Sequence, residues 1–149
     1  MTTRILFVCL GNICRSPAAE AIVRARSAGM ALDLDSAGTG DWHIGQPPYG
    51  PMQAAAETRG YDLSGLRARV FVPEDFDRFD LIIAMDRDNQ RDIETLRQGS
   101  KTPVKLFTEY TTGAASAVPD PYFTRDFHGA LDLIESCADG LLADLRRAD

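Results

Sequence analysis

Short apolar runs alternate with amphipathic stretches along this chain of 149 residues. The runs at residues 5–8 and 81–85 are continuously apolar, which is typical of strands covered on both faces. Residues 32–37 predict another strand. Residues 103–107 predict a short one with its proline at the point of entry, where a missing N–H donor is tolerated. We therefore expect four strands.

Helices are predicted between and after these strands. Residues 16–29 contain mostly good helix formers, with Pro17 as the first helical residue, where its missing N–H costs nothing. Further helices are expected at residues 51–59 and 86–97. From about Thr124 onward apolar residues recur at helical spacing, so the chain is expected to end in an amphipathic helix.

This alternation predicts an α/β fold. Strands separated by helices pair in parallel through right-handed crossovers. We therefore expect a single three-layer domain over residues 1–149, with a four-stranded parallel sheet flanked by helices. Ligands of such folds bind at the carboxyl ends of the strands. The turn after the first strand is therefore a candidate binding site.

That turn lies in the stretch FVCLGNICRSP, residues 7–17. The following helix directs unpaired N–H groups and the positive end of its dipole into the turn, and Gly11 and Asn12 tolerate the positive φ that would turn further N–H groups inward. Arg15 adds a planar donor that binds two oxygens at once. The turn is predicted to bind phosphate or another tetrahedral oxyanion through Leu10, Gly11, Asn12, Ile13, Cys14 and Ser16.

Cys9 ends the strand and is expected at the floor of this turn. The helix terminus and Arg15 stabilise a negative sulfur, so we expect a thiolate, the nucleophilic form of cysteine, at neutral pH. Below a bound phosphoryl group it would attack phosphorus while Arg15 stabilises the equatorial oxygens. The spacing of Cys9, five residues, Arg15 and Ser16 is the phosphatase signature C-x5-R-S/T.

Composition excludes several other classes of function. The formal net charge is −6 and no periodic face clusters Lys or Arg, which argues against a nucleic acid as partner. No apolar run approaches the roughly 18 residues that span a bilayer. The N-terminus lacks the pattern of a signal peptide, so we expect a cytoplasmic protein without a membrane partner. The three cysteines are interpreted as free thiols. No metal site is expected, because only two of these thiols are close in the sequence and a tetrahedral zinc site needs four ligands.

Four segments resemble the low-molecular-weight protein tyrosine phosphatases: VCLGNICRSPAAE near the N-terminus, DSAGTGDW in the thirties, FDLIIAMDRDN in the eighties and DPY at residues 120–122. They follow the order of that family over most of the chain. The resemblance implies a flavodoxin-like, phosphotyrosine phosphatase I-like fold. It also implies hydrolysis of phosphotyrosine and other aryl phosphate monoesters through a phosphocysteine intermediate. The expected substrate is a phosphotyrosine-containing protein, and the expected enzyme is a monomer without a cofactor.

The resemblance assigns catalytic roles residue by residue. Cys9 resembles the nucleophile, and Arg15 the arginine that binds phosphate and stabilises the transition state. Asp120 resembles the general acid, which the chemistry requires because a tyrosine oxygen, with a pKa of about 10, leaves more easily when it receives a proton. Pro121 would hold the loop of this acid still, and Asp86 would steady the active-site loop.

Supporting roles follow from the same motifs. Asn12 resembles the residue that fixes the loop, Ser16 the hydroxyl that bonds the thiolate, and Ser36 a further member of that hydrogen-bond network. Trp42 and Tyr122 resemble aromatic walls of the substrate slot.

Cys14 is a candidate redox residue. It lies five residues after Cys9 in a loop around one phosphate, so it is expected close enough to trap an oxidised Cys9 as a disulfide, as the resemblance also implies. Cys137, on the apolar side of the last helix, is interpreted as a core residue. His43 and His128 lie in no matched motif and are interpreted as surface residues.

The chain departs from the family pattern at Leu66. Many relatives have a histidine that begins H-x-A-R, whereas this chain has LRAR. In those relatives the histidine supports the residue that Asn12 resembles. Here Asn12 is expected to be held by Ser36, Ser16, backbone or water.

Three other functions are compatible with parts of the sequence. Arsenate reduction on the same fold needs further thiols near residues 84–93, and this segment has none. Phosphoarginine hydrolysis belongs to a branch of the family that tends to have threonine at the position of Ile13, so Ile13 favours an aromatic substrate. A catalytically silent phosphoprotein-binding module is disfavoured because Cys9, Arg15 and Asp120 are all present.

Overall fold

A parallel sheet forms the centre of the computed structural model, which describes residues 2–113 and 115–148. The strands lie in the order β2-β1-β3-β4, and every neighbouring pair is parallel. They are β1 (Thr3–Cys9), β2 (Leu32–Gly38), β3 (Leu81–Ala84) and β4 (Val104–Leu106). The strands and the α/β class that the sequence predicts are confirmed.

Helices cover the sheet. Within the described residues they are α1 (Arg15–Arg26), α2 (Gly50–Glu57), α3 (Asp75–Arg78), α4 (Arg87–Glu94), α5 (Pro121–Thr124), α6 (Phe127–Arg147) and a 3₁₀ turn at Phe107–Tyr110. The sequence pattern does not predict α3, α5 or the 3₁₀ turn, each of which is four residues long. Helices this short are unstable by themselves, so only tertiary contacts can fix them.

Two helix boundaries differ from the prediction for local reasons. α1 already begins at Arg15, so Pro17 is its third residue, still within the first turn where no N–H is needed. α6 begins at Phe127 rather than near Thr124, because Arg125 has a left-handed backbone that ends α5. Asp126 then caps the new helix.

Alternating side chains of β1 point into two different cores. Ile5 and Phe7 pack in the larger core with residues of α1, α2 and α6. Leu6 and Val8 pack in the smaller core with Phe76 of α3 and Ile93 of α4. The structure therefore has the three layers that the sequence predicts. No helix in the described ranges has the length and apolar character needed to cross a membrane.

Candidate active site

The loop between β1 and α1 turns around the sulfur of Cys9. Asn12 has a φ of 56°, in the left-handed region predicted for it, and its N–H donates to Cys9 Sγ at 3.2 Å. The prediction of a positive φ at Gly11 is wrong. Gly11 provides space instead, because a Cβ there would lie 3.1 Å from Cδ2 of His43.

β2 ends directly against this loop at Gly38. A Cβ on Gly38 would lie 2.8 Å from the carbonyl oxygen of Leu10 and 3.1 Å from the backbone nitrogen of Asn12. Only glycine allows β2 to approach the loop this closely.

The sulfur of Cys9 has a second hydrogen-bonding neighbour in Ser16. The distance from Ser16 Oγ to Cys9 Sγ is 3.1 Å, and both side chains are buried. Together with the N–H of Asn12, this hydroxyl can stabilise a negative sulfur.

The side-chain amide of Asn12 links the loop to two other segments. Its Nδ2 donates to Ser16 Oγ at 2.8 Å and to Ser36 Oγ at 3.0 Å, and its Oδ1 accepts from the backbone N–H of Arg69 at 3.0 Å. These contacts agree with the expectation that serines and backbone hold Asn12. Leu66 packs, partly buried, against the larger core.

Glu20 completes this network and is not predicted from the sequence. Ser36 Oγ donates to Glu20 Oε1 at 2.9 Å, because a carboxylate can only accept. Ser36 Oγ therefore accepts a hydrogen bond from Asn12 Nδ2. The two N–H groups of Nδ2 are donated to Ser36 and Ser16. Ser16 then keeps its own O–H for Cys9 Sγ, with a backbone carbonyl at 3.4 Å as the longer alternative. The charge of Glu20 thus directs the hydrogen bonds toward the sulfur.

Arg15 lies buried beneath the loop. Its Nη1 donates to Asp86 Oδ2 at 2.7 Å and to the carbonyl oxygen of Val118 at 3.0 Å, and its Nη2 lies 3.4 Å from Asp120 Oδ2. Burial opposes the charge, but the negative charge of Cys9 and the two carboxylates outweigh it and raise the pKa of Arg15. The buried Nε of Arg15 has no partner among the described residues, so a donor remains for a bound anion.

Asp120 is held at the start of α5. Its Oδ1 accepts from the N–H of Tyr122 at 3.1 Å, as an N-cap residue does, while Oδ2 faces Arg15. Capping therefore fixes this carboxyl group at the edge of the loop. Asp86 is likewise the N-cap of α4, so it anchors a helix and binds Arg15 at the same time.

The loop opens into a cleft of about 220 Å³. Its lining includes both aromatic residues expected there, Trp42 and Tyr122. His43, interpreted as a surface residue, is half-buried and also lines the cleft, with its ring centroid 6.4 Å from that of Tyr122. Phe123, which no sequence motif singles out, also lines the cleft. His128 is exposed, as expected.

The three cysteines are free thiols in the structure. Cys14 lines the cleft, and burial together with the charges of Cys9 and Asp120 raises its pKa above the ordinary range. Cys137 lies in the larger core, as expected, and burial raises its pKa to about 12. Within residues 2–113 and 115–148, no three His, Cys, Asp or Glu side chains group to hold a metal ion.

The fold and the loop together define the class of protein, a cysteine-based phosphatase. The model of the family described as low molecular weight phosphotyrosine protein phosphatase matches residues 4–149. The chain belongs to this family.

Individual relatives agree with this assignment. The chain is 41% identical over 149 residues to the low molecular weight protein-tyrosine-phosphatase YfkJ of Bacillus subtilis, covering 96% of each chain. The crystal structure of YfkJ superimposes with a TM-score of 0.93, covering 100% of this chain and 98% of that one. A protein tyrosine phosphatase from Entamoeba histolytica, with Hepes in its active site, gives a TM-score of 0.92 at 34% identity and 98% coverage of both chains. An arginine phosphatase of Drosophila gives 0.90 at 29% identity, covering 97% of this chain and 99% of that one.

Proposed function

We propose that this phosphatase hydrolyses phosphotyrosine in proteins through a phosphocysteine intermediate. In the first step Cys9 Sγ attacks phosphorus, the S–P bond forms and the bond from phosphorus to the tyrosine oxygen breaks. Asp120 gives its proton to the departing oxygen. Arg15 and the N–H groups of the loop bind the equatorial oxygens, where negative charge develops.

In the second step water replaces the sulfur. The Asp120 carboxylate takes a proton from water, the new oxygen bonds to phosphorus and the S–P bond breaks. Inorganic phosphate leaves and Cys9 is again a thiolate. The hydroxyl of Ser16 stabilises the departing sulfur, since its O–H is directed there by the network that ends at Glu20.

One observation carries the proposal. The sulfur of Cys9 accepts a hydrogen bond from the N–H of Asn12 at 3.2 Å, at the base of the loop. Nη2 of the buried Arg15 lies 3.4 Å from Oδ2 of Asp120. Nucleophile and acid thus line one cleft, the buried cation lies next to both, and all of them come from one chain. We infer that the enzyme acts as a monomer with residues 1–149 as one catalytic domain. Its free thiols suit the reducing cytoplasm.

The shape of the cleft favours an aromatic substrate over phosphoarginine. Ile13 and Trp42 present apolar surface to the cleft, and Tyr122 adds a second aromatic wall. The similarity to an arginine phosphatase makes phosphoarginine the second candidate. Arsenate reduction by a cysteine relay is disfavoured, because the third thiol, Cys137, is packed in the core.

Turnover of para-nitrophenyl phosphate and phosphotyrosine peptides tests the proposal. Cys9→Ser should abolish turnover but still bind phosphate or vanadate, and Arg15→Lys should be severely impaired because an ammonium cannot bind two oxygens in parallel. Cys137→Ala, a second thiol variant, should keep its activity. Substantial turnover by Cys9→Ser would exclude the phosphocysteine mechanism. Faster hydrolysis of a phosphoarginine peptide than of a phosphotyrosine peptide would exclude phosphotyrosine as the preferred substrate.

A further inference from the structure

Arg125 lies beside the active-site cleft in a fixed position. It follows α5 directly and lies five positions after Asp120 in the sequence. Its Nη1 donates to the hydroxyl of Tyr49 at 2.9 Å, and its guanidinium carbon lies 5.4 Å from the ring centroids of both Tyr49 and Phe127. These contacts hold an exposed cation in place by cation–π interaction and hydrogen bonding.

The charge of Arg125 is not neutralised by the described parts of the chain. Its other hydrogen bond goes to a carbonyl oxygen, that of Tyr122, at 3.4 Å. The adjacent carboxylate, Asp126, caps α6 instead, since its Oδ1 accepts from the N–H of Gly129 at 2.9 Å. Arg15, in contrast, forms salt bridges with two carboxylates, those of Asp86 and Asp120. Arg125 therefore keeps guanidinium N–H groups for an external acceptor.

The backbone of Arg125 is unusual. Its φ of 65° lies in the left-handed region, which costs a residue with a Cβ roughly 1–2 kcal/mol. Glycine would fit the end of α5 without this cost. Arg125 therefore occupies a position where glycine has the lowest conformational cost.

Tyr49 connects Arg125 to the catalytic loop. The N–H of Tyr49 donates to the carbonyl oxygen of Ile13 at 2.8 Å, and its ring centroid lies 5.2 Å from that of Tyr122, which lines the cleft. On its other side, Arg125 lines a groove between α2 and the start of α6. A peptide that leaves the cleft over Tyr49 and Tyr122 would therefore pass the guanidinium group.

We propose that Arg125 forms a subsite for an acidic residue that flanks the phosphotyrosine of the substrate. This inference rests on the proposed function and adds a substrate class to it. The Glu or Asp carboxylate would pair with the free N–H groups of the guanidinium. The local cation is needed because the protein as a whole carries a formal charge of −6 and repels acidic segments.

Paired phosphotyrosine peptides that differ only in Glu or Gln at positions within three residues of the phosphotyrosine test the subsite. The kcat/KM of the wild type should be about two- to fivefold higher for the Glu peptide than for the Gln peptide, because an exposed ion pair contributes an effect of this size. Salt at about 0.5 M should reduce this ratio by screening the ion pair. Arg125→Gln should bring the ratio close to one, and Arg125→Lys should keep part of it. Arg146→Gln, another exposed arginine, should leave the ratio as in the wild type. Para-nitrophenyl phosphate, which has no flanking residue, reports any general loss of activity.

Binding to the Cys9→Ser protein separates the subsite from the chemistry. A preference for Glu peptides in this binding, lost on adding Arg125→Gln, supports the subsite even if turnover contradicts the proposed mechanism. Equal affinity and equal kcat/KM for Glu and Gln peptides at every position would overturn it. A preference that persists in Arg125→Gln would also overturn it.

Discussion

The hydroxyl of Ser36 donates to Oε1 of Glu20 at 2.9 Å, and both side chains are buried. The other carboxylate oxygen of Glu20 pairs with Arg24 at 2.7 Å. Because Glu20 can only accept, it fixes the direction of a series of hydrogen bonds that ends at Cys9. The carboxylate of Glu20, on α1, therefore causes Ser16 to direct its O–H group toward Cys9 Sγ.

We expect Glu20→Gln and Ser36→Ala to impair catalysis more than folding. Gln can donate as well as accept, so the direction of the series is no longer fixed. Ser36→Ala leaves a buried N–H of Asn12 unpaired, at a cost of about 1–3 kcal/mol. Both variants should lower kcat/KM and move the acid limb of its pH profile to higher pH. Glu57→Gln and Ser136→Ala, both exposed, are matched controls. An unchanged pH profile in Ser36→Ala would contradict this role.

Asp120→Asn should slow reactions in proportion to the basicity of the leaving group. An amide cannot supply the proton, so hydrolysis of phenyl phosphate should fall much more than that of a substrate with an acidic phenol. Asn still caps α5, which keeps the loop in place. Steady-state rates for the two substrates provide the measurement. Equal losses on both would indicate a structural role for Asp120.

Cys14 should protect Cys9 from irreversible oxidation. Burial and nearby negative charge keep Cys14 protonated, so Cys9 should be the thiol that peroxide attacks, and Cys14 would then trap its sulfenic acid as a disulfide. After peroxide treatment the wild type should recover activity with dithiothreitol, and Cys14→Ser should recover poorly. If the variant recovers as fully as the wild type, Cys14 has no redox role.

Cys137 should make the protein less stable at high pH. Burial raises its pKa from 9.0 to about 12. Between these values the unfolded thiol loses its proton while the folded one keeps it. The free energy of unfolding should therefore fall by up to about 1.4 kcal/mol per pH unit as pH rises above 9. Urea unfolding from pH 8 to 11 measures this slope, which should be shallower in Cys137→Ala. Equal slopes in the wild type and in Cys137→Ala would refute the raised pKa of Cys137.

The sequence by itself determined the sheet and the chemistry of the first loop. Continuous apolar runs predict buried strands because covered strands have no solvent face, and the observed β1 to β4 follow these runs. The Cys-x5-Arg-Ser spacing predicts the loop because its residues are neighbours along the chain. Local spacing fixes how Cys9, Asn12 and Arg15 can surround one anion.

Only the tertiary structure decided which distant residues meet this loop. In the sequence Glu20 resembles an ordinary exposed helix residue, and its contact with Ser36 exists only because α1 packs beside β2. His43 reaches the cleft through a loop, and a left-handed turn places Arg125 beside it; the sequence specifies neither position. Short helices such as α5 form only when packing supports them. Such contacts depend on how the whole chain is arranged in space, which local sequence patterns do not determine.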